Sequence, residues 1–138
     1  GKDCLQIGAR GKRFSPAFVS VDLYDKSPII DFNYDIYDLK FDNNKFDIVV
    51  CNAILEHLEY PNKAILELQR VLKSGGLIWI EVPFNQPYHP SPSDYFRVTP
   101  VGLRVWMKDF EEIESGFFKI SRSEIYTRIF FYGRKRTV

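Results

Sequence analysis

The stretch from Phe46 to Pro83 constrains this chain more than any other. Ile48 to Cys51 is an unbroken apolar run rich in β-branched residues, short enough for a strand buried on both faces. From Asn62 the period changes. Ala64, Ile65, Leu68, Val71 and Leu72 share one face of a helix, and Lys63, Glu67 and Arg70 lie off it. Pro61 suits the first helical position, where its missing N–H costs nothing. Gly75 or Gly76 suits the left-handed residue that closes a helix. Leu77 to Val82 reads as a second buried strand, ended by Pro83. Strand, helix and strand at this spacing predict a right-handed βαβ crossover between parallel strands.

These residues also carry a resemblance. The Phe46–Pro83 segment has Glu56-His57-Leu58 after its first strand and Leu72-Lys73-Ser74-Gly75-Gly76 before its second. It resembles the fourth-to-fifth-strand segment of class I S-adenosylmethionine-dependent methyltransferases of the type 11-like group. His89-Pro90-Ser91-Pro92-Ser93-Asp94-Tyr95-Phe96-Arg97-Val98-Thr99-Pro100 is similar to a segment of a compact subset of that family. Some of that subset occurs with surface-polysaccharide biosynthesis. The resemblance implies an α/β, doubly wound, mostly parallel Rossmann-like sheet with a C-terminal antiparallel hairpin. It implies S-adenosylmethionine as cofactor, and methyl transfer to a small-molecule or glycan-related acceptor.

At 138 residues the chain reads as a single domain spanning 1–138, large enough for a real core. Hydrophobic residues at 45% argue against disorder. Nineteen Lys and Arg balance eighteen Asp and Glu, so nothing global predicts a nucleic-acid partner. The Gly133-Arg134-Lys135-Arg136 run reads as a solvated end rather than a binding patch. No apolar segment approaches the ~20 residues of a membrane span. Cys4 and Cys51 read as buried reduced thiols, which fits a cytoplasmic home. The chain opens almost directly on a strand, so the natural protein is expected to extend further N-terminally. The oligomeric state is not legible.

In chain order, Cys4 to Ile7 reads as the first strand, closed by Gly8. In the family an acidic residue and then Gly-x-Gly-x-Gly turn the chain under the cofactor. Here Gly8 alone matches; Gln6, Arg10 and Lys12 stand where an acid and two further glycines are usual. Arg10 and Lys12 would bring positive charge near the cofactor's sulfonium, so weak affinity is expected. Between Gly8 and the strand Phe18–Asp22 there are too few residues for a helical crossover, so the first helix is reduced or missing. Asp22, at the end of that strand, is placed to accept hydrogen bonds from both hydroxyls of a ribose. Ile29 to Ile36 is expected to hold a third strand. The resemblance places Asp38 on the adenine amino group and the Leu39 N–H on a ring nitrogen, with Asp35 as the competing register. It adds Asn52 and Ala53 to the cofactor-binding set of Gly8, Asp22, Asp38 and Leu39.

After Pro83, the loop Phe84–Thr99 leaves the end of the sheet where ligands bind in open α/β folds. It is expected to form the acceptor side of the pocket as a partly mobile lid; the alternative is an aromatic seal. His89 is the candidate general base, with packing on Tyr88 or Phe96 as its competitor. Asp94 and Arg97 orient either each other or a substrate. Glu56 and His57 read as capping and packing residues, and Trp79 as core. His57 and His89 lack partners at metal-ligand spacing, so no metal site is expected. Thr99-Pro100 starts a helix carrying Leu103, Trp106 and Met107 inward. Glu112–Phe118 and Glu124–Tyr132 alternate as two antiparallel strands. The rival functional reading is a binding or scaffold domain that kept the fold and lost the cofactor.

Overall fold

The computed structural model describes residues 1–8, 12–119 and 121–137. Six strands form one sheet: β1 (Cys4–Ile7), β2 (Phe18–Val21), β3 (Phe46–Asn52), β4 (Leu72–Pro83), β5 (Phe110–Phe118) and β6 (Arg128–Lys135). Their order is β2-β1-β3-β4-β6-β5. The first four run parallel, and β6 and β5 close the sheet as an antiparallel pair, as the sequence predicts. Helices α1 (Pro61–Val71) and α2 (Pro100–Trp106) and a 3₁₀ turn (Leu55–His57) complete the elements among the described residues. None of the helices is long and apolar enough to cross a membrane.

The β3–α1–β4 crossover is the one read from the sequence. Ala64, Ile65, Leu68 and Val71 are buried on α1. They share one core with Leu5, Ile7, Val49, Cys51, Ile78, Ile80, Ile129 and Phe131, the residues alternating along one face of the strands. The helix does not end at the glycines, however. Leu72 is already extended, and β4 begins there. Phe46 pairs with Leu72 and Ile48 with Leu77, so Lys73–Gly76 bulge out opposite Asp47. Gly75 takes φ 78° inside this bulge. Lys73 Nζ reaches both Asp47 oxygens at 3.3 Å.

Trp79 is half-buried rather than core. It stacks on Phe130 with ring centres 4.9 Å apart, and Phe118 meets Trp79 edge-on. Being odd in the β4 alternation, it faces away from the helices.

Between Gly8 and β2, the described residues 12–17 hold no helix. The Gln6 side chain does the connecting instead. It is fully buried, donates from Nε2 to the Lys12 carbonyl at 3.1 Å, and accepts from the Phe14 N–H at 2.8 Å. A carboxylate at this position could accept but not donate.

The expected strand over Ile29–Ile36 does not form. One parallel bridge, Val21 to Phe32, is all that remains of it. The cause is side-chain competition for the β2 edge. The Asp31 carboxylate accepts the Ser20 N–H at 2.8 Å, and Arg13 ties Phe18 O, Ile29 O and Asp31 together. The Asn33 amide then donates to the carbonyls of Asp22 and Asp25, turning the chain away.

In the basic run near the C-terminus Arg134 and Arg136 are exposed as expected, and Lys135 departs from the solvated reading. Arg134 and Lys135 lie in β6. Lys135 Nζ donates to the Gln69 and Leu72 carbonyls at 2.6 Å each, where α1 leaves its last carbonyls unpaired. Burial lowers the Lys135 pKa. Cys4 and Cys51 are free, buried thiols, and burial raises the pKa of both.

Candidate functional site

β1 lies between β2 and β3, and the chain leaves it in opposite directions along the sheet. Such a reversal of strand order opens a crevice at the C-terminal ends of the strands. Gly8 follows β1 with φ 84°, Asp22 follows β2, and Asn52 ends β3 before Ala53 at φ 57°. Asp22 and Asn52 therefore sit on the two neighbours of β1, not on opposite edges of the sheet.

A cavity of about 870 Å³ runs from this point. Gly8, Asp22, Asp35 and Ala53 line it, and so do His57 and His89. Asp22 Oδ1 accepts the N–H groups of Tyr24 and Asp25 at 3.0 and 2.9 Å. Its Oδ2 carries no hydrogen bond among the described residues. Asn52 is not a lining residue, and its buried Oδ1 has no hydrogen-bond partner.

Asp38 and Leu39 lie away from the cavity. The Asp38 carboxylate pairs with Lys40 in solvent, and the Leu39 N–H donates to Glu67 Oε2 at 2.7 Å. Arg70 beside Glu67 lowers that carboxyl's pKa. Asp35, the competing register, is at the cavity together with Tyr34 and Ile36. Arg10 falls outside the described residues. Lys12 is exposed, its carbonyl held by Gln6.

The acceptor-side residues are brought together by the loop between β4 and α2. This loop folds back onto the 3₁₀ turn Leu55–His57, the Tyr95 and Phe96 N–H groups donating to the Glu56 carbonyl at 2.7 and 3.2 Å. Inside it, Arg97 grips Asp94 through two hydrogen bonds of 2.6 and 2.7 Å. The Asp94 side chain is 2% exposed, and the guanidinium holds its carboxyl down to about 2. Asp94 also accepts the His89 N–H at 2.8 Å, while Arg97 Nε donates to the Gln86 carbonyl. Asp94 and Arg97 thus brace the loop from within, and His89 is the member of the trio at the cavity wall.

One grouping is not legible in the spacing of its residues. Glu56, buried at the turn, has its Oε2 3.6 Å from His57 Nε2 and 4.0 Å from His89 Nε2. The two rings meet edge-on with centres 5.0 Å apart. His89 is 32 positions from His57, and only the folding-back of the loop makes them neighbours.

Comparison with known proteins agrees with this geometry. Residues 13–80, just under half of the chain, match the family model described as a methyltransferase domain. An uncharacterised methyltransferase of Schizosaccharomyces pombe is 49% identical over 43 residues, covering 31% of this chain and 16% of its own length. An uncharacterised protein of Methanocaldococcus jannaschii is 47% identical over 88 residues, covering 56% of this chain and 43% of its own length. The chain thus spans less than half the length of these curated relatives. Among solved structures, the 1,6-didemethyltoxoflavin-N1-methyltransferase of Burkholderia thailandensis, bound to 1,6-didemethyltoxoflavin and S-adenosylhomocysteine, superposes with a TM-score of 0.78. It is 17% identical, and the match covers 97% of this chain and 71% of that one.

Proposed function

We propose that this chain, a class I methyltransferase domain, transfers a methyl group from S-adenosylmethionine to a small-molecule or glycan-related acceptor. The observation that carries the reading is the single cavity joining the strand-end residues Gly8, Asp22 and Ala53 to His57 and His89. One unused acceptor there fits a nucleoside-bearing cofactor: Asp22 Oδ2 at the cavity wall.

When bound, the cofactor supplies an electrophilic sulfonium methyl group open to in-line attack. The protein's part is chiefly to position the two reactants. Asp22 takes the ribose hydroxyls, and Asp35 the adenine end. His89, at the cavity wall, takes the proton of a hydroxyl acceptor. Asp94 and Arg97 are positioning residues, holding His89 through its backbone N–H. The exposed Tyr88 and Tyr95 offer aromatic faces for a sugar or a flat acceptor.

A binding or scaffold domain that kept the fold and lost the cofactor is the second reading. Gln6 favours it, since its amide is spent on Lys12 and Phe14 where an acidic residue is usual. Calorimetric titration with S-adenosylmethionine and S-adenosylhomocysteine separates the two. Saturable binding that weakens in Asp22→Asn supports the transferase; no binding of either ligand supports the scaffold.

A further inference from the structure

We propose that Glu56, His57 and His89 form a binding site for a divalent first-row transition ion at the inner wall of the cavity. One carboxylate oxygen and two imidazole nitrogens lie within 4.8 Å of one another. Two histidines and one carboxylate, with the remaining positions open, are a donor set suited to zinc or ferrous-type ions. The open positions here face the cavity that His57 and His89 line.

The His57 tautomer points the same way. His57 Nδ1 is 2.6 Å from the Ser93 carbonyl, which can only accept, so Nδ1 carries the proton. The lone pair of neutral His57 is then on Nε2, directed at Glu56. His89 Nδ1 lies 3.0 Å from the Pro87 carbonyl and 2.8 Å from Arg97 Nη2. Arg97 Nη2, always a donor, is nearer to His89 Nδ1 than to the Pro87 carbonyl at 3.0 Å, and it also donates to Asp94 Oδ2 at 2.7 Å. With Arg97 donating to it, His89 Nδ1 accepts and Nε2 carries the proton toward Glu56; an ion would take the place of that proton, with the Nδ1 N–H then turned to the Pro87 carbonyl. A ring N–H fixed on a backbone carbonyl is how metal-binding histidines are oriented.

The donors have to draw together to hold an ion. Donors about 2.0–2.1 Å from one tetrahedral ion stand about 3.3 Å apart, against 3.6 and 4.0 Å from Glu56 Oε2 and up to 4.8 Å among all three here. His89 rides on a loop with its side chain 31% exposed, so its ring has room to close the gap.

For the acceptor, this inference rests on the transferase reading; the metal site itself does not. With the ion bound, His89 is a ligand rather than a base, and the ion takes over the task of lowering the acceptor's pKa. A hydroxyl acceptor would lose its proton to solvent. Its oxygen would then form the C–O bond as the S–C bond breaks, the electron pair staying on sulfur.

The test is a calorimetric titration of the whole chain with Zn²⁺, repeated with Co²⁺ followed by visible absorption. One ion per chain is expected, with the absorption of a four- or five-coordinate cobalt site. His89→Ala and His57→Ala should each weaken Zn²⁺ binding by at least about tenfold to a hundredfold, the size that orienting partners alone contribute. Glu56→Gln should do the same; should it not fold, the two histidine variants decide. Absence of stoichiometric Zn²⁺ binding, or binding unchanged in both histidine variants, overturns the site. S-adenosylhomocysteine is titrated in parallel. Zn²⁺ binding without the nucleoside leaves the metal site standing and removes the transferase reading; the converse removes the metal site alone.

Discussion

A Cβ placed on Gly8 would lie 2.7 Å from the Asn52 carbonyl oxygen and 2.8 Å from Ile54 Cδ1. The end of β1 and the end of β3 approach this closely because residue 8 has no side chain, and its φ of 84° is one that other residues avoid. Gly8→Ala is therefore expected to destabilise the fold by about 1–3 kcal/mol. Urea unfolding checks this. An unchanged midpoint would show that the two strand ends part at little cost.

Asp22→Asn isolates the charge. Asn keeps the Oδ1 that accepts from Tyr24 and Asp25, so the turn survives. Hydrogen bonds to a charged group contribute about 1.5–3 kcal/mol. Affinity for S-adenosylhomocysteine should accordingly fall by about tenfold to a hundredfold, with the melting temperature nearly unchanged. Calorimetry and thermal unfolding read the two effects separately.

Arg97→Ala should loosen the β4–α2 loop and leave the buried Asp94 carboxylate without its cation. Loss of one partner of a buried pair costs up to about 3–5 kcal/mol, reduced here because Arg97 is 23% exposed. The pH dependence has a definite sign. Asp94 titrates at about 2 in the folded chain against an ordinary 3.8, so the pair's contribution is complete above about pH 4. It is lost as pH falls through 2, and amounts to about 2 kcal/mol. Unfolding free energies of both proteins at pH 5 and pH 3 should converge toward acid; parallel curves would contradict the pairing.

Gln6→Glu restores the acidic residue usual at that position and should still destabilise. The new carboxylate can accept from Phe14 but faces the Lys12 carbonyl with no proton to give. A loss of about 1–3 kcal/mol is expected, read as a lowered melting temperature. A gain in stability would mean that the connection from β1 to β2 re-forms.

The Phe84–Thr99 loop is pinned where it meets Glu56 and open where it meets solvent. The Tyr95 amide donates to the Glu56 carbonyl, while Tyr88 is 75% exposed. Hydrogen exchange should therefore protect Tyr95 and Phe96 nearly as well as β3 and leave the residues around Tyr88 fast. Fast exchange throughout would favour a lid moving as one piece.

The sequence by itself determined the centre of the fold. The change from a β-branched run to a 3.6-residue apolar period places β3, α1 and β4, because burial of alternate faces leaves few other solutions. Thr99-Pro100 likewise marks the start of α2, where the Thr99 hydroxyl accepts the Gly102 N–H. Tertiary structure decided the rest, wherever one long-range side-chain bond outweighs local preference. Asp31 takes the Ser20 N–H and with it the third strand; Lys135 leaves solvent for the end of α1. Asp35 comes to the cavity, while Asp38 pairs with Lys40 in solvent. The Glu56, His57 and His89 cluster exists because two backbone N–H groups of a distant loop bind the Glu56 carbonyl. Backbone hydrogen bonds of that kind depend on where the chain passes, not on which residues it carries, and no spacing rule records them.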